Sequence, residues 1–256
     1  MIRLLLLTLA AAFAAPEPAA STVPAPPSNV RRTLGNGVVV DWTRHRLEVL
    51  ATEHDNNPAR DLRPLEQAAM TQIDTRFDTA LAKLPVRPGI TWAALPDREE
   101  LPSIPWRVAE TRYHTGGSVD VIGAVDLREV LAPWSTSRAV PPPGPSTSDA
   151  TGVLIDARGI AVEPCYAPVV QTVSGEVLFD SIVWKDVAWE TTPVVWVADP
   201  MHSEARAAGL KPEMFLATGA DTCTIGVADE DGPRWKERVA SLRAVGGGGV
   251  VIVVDP

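Results

Sequence analysis

The side chains best spaced for chemistry in this sequence are Asp156 and Arg158. They end an apolar run typical of a β-strand, where residues two apart share a face, so the carboxylate and the guanidinium can meet. One interpretation is a ligand or hydrolase site at the end of the strand. The other is an ion pair that closes a turn at Gly159. We favour this structural role, because the sequence places no second acid, histidine or serine beside the pair, and we assign no catalytic residue.

The four histidines show no metal-binding pattern. None of His45, His54, His114 and His202 is spaced from another as helical metal ligands are, and no H-E-x-x-H motif occurs. His45 and His114 fall in predicted turns, which favours exposed imidazoles. A site assembled from distant residues stays open, but the sequence predicts no metal and no cofactor. A phosphate-binding loop and a G-x-S-x-G nucleophile elbow are also absent from the sequence.

Eight tryptophans are spread along the chain, and most of them are expected to be core residues. Trp184, Trp189 and Trp196 are grouped in one stretch. If exposed, they could form the centre of a protein interface or a stacking surface for a glycan.

Composition limits the classes of partner. The 256 residues are 45% hydrophobic and 21% charged, which suffices for a packed core in one large or two small domains. The formal net charge of −9 argues against a nucleic-acid partner and against an anionic membrane surface, because phosphate groups would repel the protein. The 24 prolines indicate linkers.

The first residues predict export. Residues 1–15 carry Arg3, then an apolar run, then the small residues Ala12 and Ala14 at the spacing that a signal peptidase reads. The run is shorter than the about 20 apolar residues of a membrane-spanning helix. We therefore expect a bacterial signal peptide and a periplasmic or secreted protein without a later transmembrane segment, the alternative being an uncleaved anchor. Residues 16–34 are Pro- and Ala-rich and read as a spacer.

Export bears on the two cysteines, Cys165 and Cys223. An oxidising compartment would allow a disulfide between them, which would stabilise the fold by about 3–4 kcal/mol. The alternative is two buried thiols, since the separation of the Cα atoms decides whether a bond can form. No C-x-x-C motif suggests a redox pair.

The elements that must position these residues form two predicted modules, 35–132 and 150–256, joined by a Pro-rich linker at 133–149. In the first module, hydrophobic periodicity predicts a hairpin, an amphipathic helix and a second hairpin, in the order β-β-α-β-β. The boundaries are 38–42 and 46–53, then 59–84, then 106–113 and 118–125.

The second module is also predicted to mix strands and helices. We expect strands at 152–156, 169–173, 176–179, 194–197 and 250–254, and helices at 201–209 and 233–243. The predicted fold class is therefore α+β, with two small α/β-sandwich-like modules.

Several segments resemble a known family. DWTRHRLEVLATE (41–53) and RVAETRYHTGGSVDVIGAVDL (107–127) resemble the N-terminal module of the FlgP/FlgT-like bacterial envelope proteins. GVLIDARGIAVEPCYAPVVQTVSGEVLFD (152–180) and VADEDGPRWKERVASLRAVGGGGVVIVVDP (227–256) resemble a module found with it. The resemblance implies a structural or assembly role, as in outer-membrane-associated flagellar rings, rather than a reaction. The lipid-bearing cysteine of many relatives is missing, and residues 181–218 depart from the family pattern.

These observations predict an exported, non-enzymatic cell-envelope protein for structure or assembly, with a flagellum-associated protein as the more specific form. Its partners would be envelope proteins or further copies of itself, docked at exposed sheet edges. One alternative is a periplasmic module that binds a glycan or a small ligand through residues 181–200. Another is a hydrolase that uses Asp156 and Arg158.

Overall fold

The computed structural model describes residues 29–35, 37–55, 61–95, 106–135, 150–180, 194–244 and 249–256. The expected leader, Trp184, Trp189 and most of the expected linker lie outside the described residues. Helices and several sheets are both present, as the predicted α+β class requires.

The N-terminal part of the chain forms an antiparallel sheet with a helix packed on it. Its elements are β1 (Arg31–Gly35), β2 (Val38–Asp41), β3 (Arg46–His54), α1 (Arg63–Lys83), β4 (Pro85–Arg87), β5 (Ile90–Thr91), β6 (Arg107–His114), β7 (Ser118–Asp126) and α2 (Leu127–Ser135). Five strands form one sheet in the order β1-β2-β3-β7-β6, and β4 pairs separately with β5.

Hydrophobic periodicity explains how α1 packs on this sheet. Alternate residues of β3 and β7 are buried, and α1 buries Ile73 and Phe77 on its facing side. At Gly123 of β7 a Cβ atom would lie 2.7 Å from Cγ2 of Ile73, so only glycine lets the helix approach this closely. β2, β3, α1, β6 and β7 correspond to the predicted hairpin, helix and hairpin, whereas β1, β4 and β5 were not predicted.

Two expected boundaries are wrong. The spacer expected at 16–34 overlaps β1, and the N–H of Trp42 donates to the carbonyl of the buried residue Val30 at 2.8 Å. The linker expected at 133–149 overlaps α2, which continues to Ser135. Proline content explains both errors. The proline-rich residues before β1 suggested a spacer where there is a short edge strand. Pro133 suggested a linker, but it lies in the last part of a helix, where it removes a single N–H.

The C-terminal part forms a larger, mixed sheet. Its elements are β8 (Gly152–Asp156), β9 (Val169–Thr172), β10 (Val177–Asp180), β11 (Val194–Val197), β12 (Pro212–Asp221), β13 (Thr224–Val227), α3 (Gly232–Ala244) and β14 (Val250–Val253). The order is β10-β9-β13-β12-β8-β14-β11, and β12, β8, β14 and β11 are parallel.

The second sheet differs from the expectation at two places. β12 and β13 were not predicted, because β12 begins with proline and contains glycine and alanine, which are weak strand formers. The helix expected at 201–209 is a 3-10 helix, Ser203–Ala208. It covers one face of the sheet, where Ala205 and Ala208 pack in a cluster with residues of β8, β11 and β14.

The two sheets meet through the main hydrophobic cluster, which contains buried residues of both. The backbone N–H groups of Tyr166 and Ala167 donate to the carbonyls of Pro85 and Val86 at 3.3 and 2.7 Å. Arg87 forms an ion pair with Asp180 at 3.0 Å. The seam between the sheets is therefore buried and hydrogen-bonded. Within the described ranges, no helix has both the length and the apolar character needed to cross a membrane.

Candidate functional site

The turn between β2 and β3 has an uncommon backbone conformation. His45 has a φ of 53°, in the left-handed region that few non-glycine residues adopt. Asp41 shapes the turn: its Oδ1 accepts the N–H of Arg44 at 3.0 Å, and its Oδ2 accepts from Nδ2 of Asn29 at 2.6 Å. The carbonyl of His45 accepts the N–H of Leu127 at 2.8 Å, which ties the turn to the start of α2. The conformation of His45 is therefore held from both sides.

His45 is not the exposed turn imidazole that the sequence predicts, since only 2% of the residue is exposed. The expectation was wrong because a turn on the first sheet is covered here by the second half of the chain. The ring of Tyr166 packs edge-on against the imidazole, with ring centroids 5.9 Å apart. His114, by contrast, lies on the surface, where its Nε2 is 2.8 Å from Oδ2 of Asp120.

Burial keeps the His45 ring neutral. Desolvation, with a smaller contribution from the nearby Arg128 guanidinium, lowers its pKa to about 4, against the opposing effects of Asp126 and of a hydrogen bond with the Val194 backbone. A ring nitrogen whose hydrogen bond to the backbone raises the pKa must donate to a carbonyl, and Nε2 of His45 has no hydrogen-bond partner among the described residues. The proton is therefore assigned to Nδ1, which leaves Nε2 as a free acceptor.

This histidine lines a cavity of about 550 Å³ between the two sheets. The first sheet contributes the β2–β3 turn, the start of β6 and the junction of β7 with α2, and the second contributes β11 and the 3-10 helix. Its charged lining residues are Arg44, Arg46, Arg107, Asp126, Arg128, Glu129 and Glu204. The volume lies within the range of about 300–1,000 Å³ typical of small-molecule sites.

Most of the charges around the cavity are paired. Arg128 binds Asp126 through two nitrogens, with Nη2 2.5 Å from Oδ2. Burial opposes ionisation of Asp126, but the hydrogen bonds from Arg128 outweigh it and lower its pKa. Within the described part of the chain, the side chains of Arg44 and Glu204 form neither an ion pair nor a hydrogen bond.

Asp156 and Arg158 lie together at the end of β8. Nη2 of Arg158 is 2.5 Å from Oδ2 of Asp156, and its Nε is 2.8 Å from Oδ1. The hydrogen bond from Arg158 lowers the pKa of Asp156, so the carboxylate is ionised and occupied. The N–H of Gly159 donates to Oδ2 of Asp255 at 2.8 Å. Neither Asp156 nor Arg158 lines the cavity at His45.

A second D-x-R pair, Asp126 and Arg128, has the same geometry at the end of β7. In both pairs the aspartate also accepts the backbone N–H of the arginine two residues on, at 2.8 Å after β7 and 3.2 Å after β8. The repeated motif is visible in the sequence, but only Asp156 and Arg158 were singled out there. In both places the aspartate holds the arginine and the backbone that follows the strand, so the pair stabilises the end of the strand.

Replacing Gly159 by alanine is expected to lower the free energy of unfolding by about 1–2 kcal/mol, the cost of a left-handed L-residue. Gly159 has a φ of 78°, and an added Cβ would meet nothing within 4 Å, so the backbone conformation alone is tested. Urea denaturation would measure the change. Gly116→Ala is the matched control, because its Cβ also meets nothing and its φ is not left-handed. Equal effects of the two substitutions would contradict this account of the turn.

Trp196 is a core residue rather than part of an exposed surface. It is fully buried, and its Nε1 donates to the carbonyl of Cys165 at 2.8 Å. Its strand, β11, is apolar and buried along its whole length, which corrects the expectation that Trp196 could belong to an interface or a glycan platform. Trp184 and Trp189 lie outside the described residues.

Cys165 and Cys223 are joined in a disulfide, with their Cα atoms 5.5 Å apart. Both residues are fully buried. The bond connects the loop before β9 to the turn between β12 and β13. Among the described residues, no group of three or more His, Cys, Asp or Glu side chains is arranged to hold a metal ion.

Comparison with known proteins concerns only the C-terminal part of the chain. Residues 152–256 match the family model described as Treponema pallidum Tp0624, second domain. The match includes every strand of the larger sheet and the disulfide. The turn that carries His45 lies outside it. No curated protein matches the chain.

Proposed function

We propose that the protein is an exported component of the bacterial cell envelope that acts through protein–protein contacts and not as an enzyme. The composition of residues 1–15 supports export to the periplasm or beyond. The resemblance to FlgP/FlgT-like proteins supports an assembly role, and a flagellum-associated role is the more specific form of the proposal. Envelope proteins or further copies of the chain would be its partners.

The observation that carries this proposal is an apolar strip on β12. Met214 and Leu216 lie on the same face of the strand and are 56% and 65% exposed, whereas Phe215 between them is buried. Met214 pairs with Leu154 of β8, which is buried beneath the 3-10 helix. The apolar face of the sheet therefore continues onto β12, beyond the part that the 3-10 helix covers. Exposed apolar patches of this kind are typical of protein contact sites.

We also propose that the two sheets are two modules joined by residues 136–149. Each sheet is built from one continuous part of the chain, 31–126 or 152–253. The proline-rich composition of the connecting residues supports a linker. The buried seam supports a fixed arrangement of the modules.

The double substitution Met214→Thr with Leu216→Thr is expected to abolish crosslinking of the protein to its envelope partner in intact host cells, with at least a tenfold loss of the crosslinked species. Threonine keeps the strand propensity and removes most of the apolar contact surface. Because both residues are exposed, unfolding free energy should change by no more than about 0.5 kcal/mol.

Leu50→Thr with Val108→Thr is the matched control, since both residues are partly exposed on the first sheet. The mass of the crosslinked species separates self-association from a different partner. Undiminished crosslinking in the β12 variant, or an equal loss in the control, would contradict a contact at this strip.

A second candidate function is binding of a small ligand in the cavity between the sheets. The observation that favours it is the volume of the cavity, about 550 Å³, which lies within the range of about 300–1,000 Å³ typical of small-molecule sites.

A further inference from the structure

We propose that Asn29–Arg32 act as a strap that holds the second sheet against the first, and that release of this strap lets the two sheets separate at the seam. The strap is the first described segment of the chain. Its backbone is fixed on the first sheet, and two of its side chains bond to the second. The proposal concerns how the two halves of the chain are coupled, so it depends on neither of the proposed functions.

The backbone of the strap is fixed on the first sheet. Val30 is fully buried. Its N–H donates to Oγ1 of Thr43 at 2.9 Å, and its carbonyl accepts the N–H of Trp42 at 2.8 Å. Further along, Arg32 lies opposite Val40 in the ladder between β1 and β2. Since its backbone is paired and its apolar side chain is buried, the strap is held firmly on this sheet.

Asn29 connects the two sheets through the two ends of its amide group. Its Nδ2 donates to Oδ2 of Asp41, at the end of β2, at 2.6 Å. Its Oδ1 lies 3.0 Å from Nε2 of His202, beside the 3-10 helix of the second sheet. Because Nδ1 of His202 accepts the N–H of Glu204 at 3.1 Å, Nε2 carries the proton and donates to Asn29. A carboxylate acceptor on one side and an imidazole donor on the other therefore fix the amide in one orientation, bonded to both sheets.

Arg32 makes the second contact across the seam. Its Nη2 donates to the carbonyl of Asp255, shortly after β14, at 3.2 Å. The neighbouring Arg31 differs, because its Nη2 pairs with Glu48 of β3 at 2.5 Å, within the first sheet. Adjacent arginines of one strand therefore bond to different sheets, which provides an internal control.

The residues that hold the strap belong to both walls of the cavity between the sheets. Thr43, which accepts the N–H of Val30, lines the cavity from the first sheet. Glu204, whose N–H is bonded to His202, lines it from the second. The strap therefore bridges the two walls of the cavity.

Other hydrogen bonds of the seam involve different elements and can report its opening. The N–H groups of Tyr166 and Ala167, in the loop before β9, donate to the carbonyls of Pro85 and Val86 in β4. The strap instead joins β1 and β2 to the 3-10 helix and the end of β14. The amides of Tyr166 and Ala167 exchange with solvent when their bonds across the seam break, so their rates measure separation of the sheets.

The test is amide hydrogen exchange followed by NMR on the full chain at pH 7. Asn29→Ala with Arg32→Ala removes both side-chain contacts with the second sheet and leaves the backbone of the strap in place. The amides of Tyr166 and Ala167 are expected to exchange at least about tenfold faster, the effect of losing hydrogen bonds that oppose opening. Amides of β7 and β8 should keep their rates, since both strands are paired on two sides within their own sheets.

Arg31→Ala with Thr33→Ala is the matched control. It also truncates two side chains of β1, and within the described residues neither forms a hydrogen bond or an ion pair with the second sheet. Seam exchange should be unchanged in this variant. Unchanged seam exchange in the strap variant, an equal acceleration in the control, or an equal acceleration throughout β7 and β8 would overturn the strap.

A double-mutant cycle tests the contact itself. Asn29→Ala and His202→Ala remove the same hydrogen bond from opposite sides, so their effects on seam exchange should not be additive. The double variant should exchange more slowly than the product of the two separate effects predicts. Additive effects would show that the two residues do not act through a shared bond and would overturn the proposal.

Discussion

Replacing both cysteines by alanine, Cys165→Ala with Cys223→Ala, is expected to lower the free energy of unfolding by about 4 kcal/mol. The bond closes a loop between residues 58 positions apart, so it removes much conformational entropy from the unfolded chain. The positive φ of residue 223 costs alanine about as much free energy as it costs cysteine, so this backbone strain does not contribute to the difference between variant and parent. Urea denaturation of the variant and the parent would measure the difference.

Reduction of the parent protein provides the matched control. Dithiothreitol should destabilise the parent by a similar amount and leave the double variant unchanged. A loss below about 1 kcal/mol, or an equal effect of reductant on both proteins, would show that the disulfide contributes little to the fold.

The second large effect is a pH dependence caused by His45. Its pKa is about 4 in the folded protein against 6.5 for an unperturbed histidine. Between these values the unfolded chain binds a proton that the folded protein does not, so stability falls as pH is lowered through this range. The expected loss from pH 7 to pH 4 is about 3 kcal/mol, and it is complete below the folded pKa.

His45→Asn isolates this contribution, because asparagine tolerates the left-handed backbone and does not titrate. Arg128, Asp126 and the Val194 backbone act on the ring, so the variant keeps those groups and removes only the imidazole. We expect the fall in unfolding free energy between pH 7 and pH 4 to be about 3 kcal/mol smaller in the variant. Parallel profiles for the parent and His45→Asn would contradict the burial of a neutral ring.

The amphipathic helix and the hairpins could be predicted because their residues repeat with a clear period. The spacing of Ile73 and Phe77 indicates the buried side of α1, and the alternation along β7 indicates its inward face. β12 was not predicted for two reasons: it contains weak strand formers, and its exposed residues Met214 and Leu216 break the rule that alternate positions are polar. A hydrophobic pattern predicts the buried face of a strand or helix only when the opposite face is polar.

The candidate site could not be predicted in the same way. His45 is buried by Tyr166, more than a hundred positions further along the chain, and no local pattern reports a contact of that range. The sequence contained one signal of the unusual turn, which is Asp41. Aspartate before a short turn is typical of side-chain-to-backbone hydrogen bonds of the kind that hold His45 at its positive φ. The ion pair at Asp156 was visible because it is local. The pairing of Cys165 with Cys223 remained open because it depends on distance alone.

The hydrogen bonds from Tyr166 and Ala167 to the carbonyls of β4 use main-chain atoms only. Such a junction survives drift in side-chain identity, so distant descendants could keep it with little sequence in common. A gene that carries the C-terminal half into another context loses these acceptors. It must then encode a substitute short strand, or leave two buried N–H groups without partners. We therefore expect the C-terminal half to be found joined to other domains mainly where those domains have an unpaired strand edge.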